Sequence, residues 1–195
     1  MNLPNKLTLL RIIMIPIFII LVLWPYDLGT IKLLGSSVEL HLFLAAVIFS
    51  LASITDWLDG YLARKMNIVS NFGKFADPLA DKMLVMTAFI LLIQLELAPA
   101  WVIAIIVCRE LAVTGLRLLL VEQGGTVLAA SWPGKVKTNA QMFAIILLLI
   151  DNFPFNLTGV PVATILLYIS LIFTIYSGVD YFYNARHFFK GTFSH

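Results

Sequence analysis

Asp56, Asp59, Asp77 and Asp81 fall within the single stretch D-W-L-D-G-Y-L-A-R-K-M-N-I-V-S-N-F-G-K-F-A-D-P-L-A-D, and they are four of only eleven acidic residues in a chain that is 61% hydrophobic. Carboxylates beside lipid are costly, and four together also repel one another, so the arrangement makes sense only where something cationic shares the site. A pair of divalent metal ions is the simplest candidate. In a helical setting Asp56 and Asp59 stand at i and i+3, while Gly73, Asp77 and Asp81 recur at every fourth residue, so each set shares one helix face. The short segment between them makes the two helices antiparallel neighbours, and all four aspartates then converge at one membrane border.

The elements that must hold them are membrane helices. The 195 residues are only 12% charged, with a mean hydropathy of +0.96, too apolar for a soluble globular domain. A spanning helix needs roughly 20 mainly apolar residues, and six stretches meet or approach that length, at about 7–24, 40–58, 75–97, 100–120, 136–150 and 160–183. Pro4 and Asn5 suit the start of the first, which Pro16 can kink and which is read as an uncleaved span. Ser50, Ser53 and Thr55 make the end of the second polar, as expected of a face towards a watery cavity or of a close helix contact. Pro78 either opens the third helix or kinks it. Arg109, Glu110 and Arg117 in the fourth are expected to face the bundle interior. No linker or repeat divides the chain, so residues 1–195 are read as one all-α membrane domain of six transmembrane helices.

Lys6, Arg11, Arg64, Lys65, Lys74, Lys82, Arg109, Arg117, Lys135, Lys137, Arg186 and Lys190 fall at one set of helix ends, and Lys32 alone at the other. The positive-inside rule makes the first set cytosolic, with both termini and the aspartates on that side. Acidic and basic residues thus share the same loops, as in a surface that binds metal ions and an anionic substrate together. Setting topology and meeting anionic lipid is the plainer use of each cation. Cys108, the single cysteine, is read as a buried packing residue. His41, His187 and His195 have no ligand partner at useful spacing, and Asp180 is read as an interhelical hydrogen-bonding group.

Asp56, Asp59, Gly60, Ala63, Arg64, Gly73, Asp77 and Asp81 reproduce, without gap or substitution, D-x-x-D-G-x-x-A-R, eight residues, then G-x-x-x-D-x-x-x-D. In this the chain resembles the CDP-alcohol phosphotransferase family, whose members move a substituted phosphate from a CDP-linked alcohol to a hydroxyl and release CMP. The chemistry suits the residues. Cleaving a diphosphate calls for neutralising its bridging and leaving oxygens, and an all-oxygen ligand set favours magnesium or manganese.

The resemblance implies that Asp56, Asp59 and Asp77 ligate two Mg2+ or Mn2+ ions, and that Asp81 joins them and acts as general base. Gly60 and Gly73 would let nucleotide approach the backbone, although glycine in a membrane helix also serves close packing. Arg64 is placed to reach phosphate, to hold a carboxylate or to snorkel. The outer segments N-L-P-N-K-L-T-L-L-R, R-E with G-L-R at Arg109 to Arg117, and S-W-P-G-K-V-K-T resemble a bacterial branch that uses CDP-diacylglycerol and sn-glycerol 3-phosphate. Arg109, Arg117, Lys135 and Lys137 are then candidates to hold the dianionic acceptor. Asn5, Thr8 and Arg11 complete the cavity.

A multi-pass enzyme of the bacterial cell membrane, homodimeric by family habit and without a nucleic-acid partner, is the resulting expectation. Another acceptor (inositol phosphate, serine or phosphatidylglycerol) is the near alternative. Prenyl transfer would want a second aspartate motif on a longer chain. An ion-coupled transporter would want an inverted repeat and acids at the midplane.

Overall fold

A computed structural model describes residues 3–33, 36–66, 71–122 and 132–192. Six α-helices dominate it: α1 (Leu3–Val22), α2 (Leu40–Met66), α3 (Asn71–Gln94), α4 (Ala100–Glu122), α5 (Trp132–Leu149) and α6 (Val162–Thr192). All six expected stretches are helical. α2 and α6 run well past their apolar parts, to Met66 and Thr192. α3 begins at Asn71, so Pro78 lies inside the helix and not in its first turn.

One element departs from the all-α expectation. β1 (Thr30–Leu33) and β2 (Ser36–Glu39) pair antiparallel between α1 and α2, Thr30 opposite Glu39 and Leu33 opposite Ser36. Gly29, at φ +85°, donates its N–H to Asp27 Oδ1 at 2.6 Å and turns the chain into β1. Two four-residue strands carry too little alternation to stand out beside twenty-residue apolar runs.

The most extensive packing joins α5 to α6 and α1 to both α2 and α3, while α4 lies against α6. Small residues at the contacts, among them Ala45, Ala46, Ala52, Ala88, Ala140 and Ala144, are buried and let the backbones approach. Phe18, Phe49, Phe89, Ile103, Ile145 and Leu167 fill the space between them. A second cluster, Val113, Leu116, Leu120, Tyr181 and Ala185, closes the far end of the α4–α6 contact.

The exterior is as apolar as the core. Ile13, Ile17 and Ile20 on α1 and Ile172, Ile175, Tyr176 and Val179 on α6 are exposed, whereas Ser170, Thr174 and Ser177 of α6 are buried. That distribution is consistent with an all-α membrane protein, since hydrocarbon and not water is the natural neighbour of such a surface. Among the described residues, Val162–Arg186 of α6 is long and apolar enough to cross a membrane, with a mean hydropathy of 2.0 over its most apolar window.

Asn152 closes the α5–α6 connection. Its Nδ2 donates to the Val160 carbonyl at 2.7 Å and its Oδ1 accepts the Ala163 N–H at 2.9 Å.

The Phe18 and Phe49 rings, both fully enclosed, lie 5.8 Å apart and hold α1 to α2. Phe49→Ala is expected to cost about 3 kcal/mol through the cavity it leaves, read as a lowered thermal midpoint in detergent micelles.

Candidate functional site

The aspartate motif occupies two helices and not a loop. Asp56, Asp59, Gly60 and Arg64 are in α2; Gly73, Asp77 and Asp81 are in α3; residues 67–70 connect the two, and the helices touch. The expected two helices joined by a short segment are therefore observed. The side chains of Asp59, Gly60, Arg64, Gly73, Asp77 and Asp81 lie outside the described residues. Asp56 is the member of the motif whose surroundings are described.

Asp56 is gripped from α1. Arg11 Nη1 lies 2.9 Å from Asp56 Oδ1; the arginine side chain is fully enclosed and the aspartate side chain 35% exposed. Thr8, one turn before Arg11 on the same helix, is also fully buried. The sequence places both as cavity-lining residues. The structure brings them to the site but encloses them, so Arg11 acts on the carboxylate of Asp56. A guanidinium suits that post because it stays charged when buried and its planar fork fixes the carboxylate's orientation.

A second charged cluster was not legible as a unit. The Glu110 carboxylate on α4 gathers three cations from three helices. Lys82 of α3 donates to Oε2 at 2.9 Å, Arg109 of α4 donates to Oε1 at 3.1 Å, and Lys137 of α5 also donates to Oε1. The side chains are 14% exposed for Glu110, 15% for Arg109, 25% for Lys82 and 8% for Lys137, so the cluster is shielded but open on the Lys82 side.

Arg109 also reaches α6, donating to Ser177 Oγ at 2.9 Å. It passes directly over Gly178, where an added β-carbon would meet Arg109 Cγ at 3.1 Å and Nε at 3.4 Å. The absence of a side chain at Gly178 is what lets the arginine cross.

Of the four cations expected to act together, Arg109 and Lys137 do meet. Arg117 instead lies over the Tyr181 ring, 5.4 Å from its centroid, and Lys135 is exposed beside a shallow recess with Gly134, Thr138 and Asn139. Lys82, Ser177 and Gly178 were missed. Lys82 directly follows Asp81, and S-G within an apolar span is a usable sign of a close polar crossing.

Ser50 and Ser53 bond back to the carbonyls of Ala46 and Phe49, and both line a recess of about 300 Å³ with Asn139, Met142 and Phe143 of α5.

Two lesser expectations are corrected. Cys108 is exposed and lines an apolar groove of about 840 Å³ between α4 and α6, because the interior side of α4 at that level is taken by Ile106 and Val102. Asp180 accepts from Asn184 Nδ2 at 3.2 Å within α6, one turn away, and not across helices. His41 pairs with Glu39 at 3.3 Å at the start of α2; His195 lies outside the described residues, as does the side chain of His187.

Residues 1–176 match the family model described as CDP-alcohol phosphatidyltransferase. The chain is 51% identical over 181 residues, 93% of each sequence, to a protein of Bacillus subtilis (strain 168) named CDP-diacylglycerol--glycerol-3-phosphate 3-phosphatidyltransferase. Relatives with the same name in Sodalis glossinidius and Haemophilus influenzae are 37% and 38% identical, over 96% of each chain for the first and 95% of this chain and 94% of the relative for the second.

Removing Arg11 leaves Asp56 without its guanidinium. Arg11→Met is expected to cost about 2 kcal/mol, less than a wholly buried pair because water still reaches Asp56. Combined with Asp56→Asn it should cost clearly less than the two single changes added, as thermal unfolding of the four proteins would read.

Proposed function

The chain belongs to the CDP-alcohol phosphatidyltransferase family, and from that premise we propose that it transfers the phosphatidyl group of CDP-diacylglycerol to the hydroxyl of sn-glycerol 3-phosphate, giving phosphatidylglycerophosphate and CMP. The observation that carries this reading is the match, over 93% of both sequences, to a relative named for that reaction. Another acceptor within the family would leave the aspartate motif unchanged, and the acceptor assays below separate the two.

The donor set fits a divalent metal. Asp56 offers an oxygen held in place by Arg11, and the other three carboxylates belong to the same pair of touching helices. Asp56, Asp59, Asp77 and Asp81 would hold Mg2+ or Mn2+, two ions on this reading. When bound, such ions neutralise charge on the diphosphate oxygens.

The remaining work falls to the chain's own groups. Asp81 takes the proton from the acceptor hydroxyl. The freed oxygen bonds to the phosphatidyl phosphorus as the bond from that phosphorus to the CMP oxygen breaks, and CMP leaves with the electron pair. Gly60, Gly73 and Arg64 are assigned to the CDP diphosphate. Arg109 and Lys137, with Lys82 beside them, are assigned to the acceptor's phosphate; Arg117 and Lys135 stand further out, and Thr8 and Arg11 are assigned to the enclosed wall of the cavity on α1.

We read the six helices as six spans of a bacterial cell membrane, with both termini and the motif on the cytosolic side. The apolar exterior and the one-sided distribution of Lys and Arg support this. Lipid tails would then stay in the bilayer while the head groups meet at its border. A homodimer is proposed on family resemblance.

CMP release by purified protein in lipid–detergent micelles tests the reading. Release is expected to need CDP-diacylglycerol, a divalent metal and glycerol 3-phosphate together, and to stop with a chelator. Release indifferent to glycerol 3-phosphate would remove the acceptor assignment. Asp81→Asn should fold and lose activity by about 10²–10⁴-fold, the usual weight of a general base.

A further inference from the structure

Three cations and one carboxylate leave the Glu110 cluster with two positive charges in excess, shielded on most sides. An uncompensated charge of that size is costly at low exposure, so the cluster is built to share its space with an anion. The geometry around Glu110 describes that anion. Its two oxygens take ammonium groups from two different helices, and one of them also takes a guanidinium N–H. Several cationic donors converging on neighbouring oxygens is the arrangement that a phosphate, with three oxygens free to accept, also satisfies.

We propose that Glu110 is the internal counter-ion of the acceptor site, occupying the Lys82–Arg109–Lys137 cluster when no acceptor is bound and setting how tightly the acceptor's phosphate is held. The inference rests on the acceptor reading given above and goes beyond it. The cations are assigned there to bind; here a carboxylate with no part in the chemistry determines affinity and selects by charge.

The physical basis is competition. Without Glu110, two ammonium groups and a guanidinium would repel one another and open the α3–α4–α5 contact. With it, they stay gathered at rest. A monoanion arriving at the cluster offers no more charge than the carboxylate already there. A dianion offers twice as much, neutralises the excess of two, and draws the cations away from Glu110. Arg109 cannot wander during that exchange, because Ser177 and the notch at Gly178 fix its far side. Lys82, the most exposed of the three, is the group free to turn from Glu110 to the ligand. A merely structural salt-bridge hub would also hold three helices together, but its removal would lower stability without changing how tightly phosphate binds.

The test uses inorganic phosphate as probe, both as inhibitor competing with glycerol 3-phosphate and as a ligand that raises the thermal midpoint of the full-length protein in micelles. For Glu110→Gln, the inhibition constant of phosphate and the KM for glycerol 3-phosphate are both expected to fall by roughly tenfold, the size expected when one like charge is taken from a half-buried anion site. Protection by phosphate should increase in step. Glu110→Asp, which keeps the charge, should retain the parent's KM. A folded Glu110→Gln protein with unchanged KM and unchanged phosphate protection overturns the proposal.

If Glu110→Gln does not fold, the parent enzyme carries the test: dianionic phosphate should compete with glycerol 3-phosphate and raise the thermal midpoint, whereas dimethyl phosphate, a monoanion, should do neither. Equal competition and protection by the two overturns the proposal. The two readings fail separately. A parent enzyme whose CMP release ignores glycerol 3-phosphate removes the acceptor assignment and this inference together, whereas a parent that needs it, beside an unaltered Glu110→Gln, removes this inference alone.

Discussion

A charge enclosed among hydrocarbon has to find its partner on another helix, and that requirement ties this bundle together. Glu110 satisfies it for α3, α4 and α5 at once, and Arg109 extends the link to α6 through Ser177. Arg11 does the same for α1 and α2 through Asp56. Apolar packing among the same helices has many near-equivalent arrangements, because lipid tails compete on equal terms with leucine and isoleucine. Directional ion pairs do not, so they fix the rotation of each helix where apolar contacts only fix its proximity.

α3 links the two charged centres. It carries Asp77 and Asp81 of the aspartate motif, and the residue after Asp81 is the lysine that reaches Glu110. Any change in how Lys82 is held is thus transmitted through a single peptide unit to the proposed base. α1, which touches both α2 and α3, braces the other side of the motif with a guanidinium sealed from solvent. The motif-bearing end of α2 is thus braced by a pair that lies outside the Glu110 cluster.

The helices were legible because apolar runs of spanning length, bounded by Trp24, Pro99 and Pro161, leave few other structures open. The aspartate motif was legible because its spacing matches a helix face on either side of a short connection. The Glu110 cluster was not, because its members come from positions 82, 109, 110 and 137, and nothing local records that Lys82 and Lys137 share the carboxylate beside Arg109. Sequence places Arg11 near the motif for a related reason, and the packing of α1 against α2 and α3 adds that it is enclosed beside Asp56. The β1–β2 pair and the outward aspect of Cys108 were lost to scale, since a four-residue strand and a one-residue rotation of a uniformly apolar helix leave almost no periodic trace.

Cys108 is the only thiol in the chain, it opens onto the α4–α6 groove, and the residue after it is the arginine that spans both charged and hydroxyl partners. A nitroxide or small fluorophore attached there would therefore sit one residue from the cation cluster without any cysteine being added or removed. The native chain comes already equipped with a spectroscopic window on the filling of the cluster that Arg109 anchors.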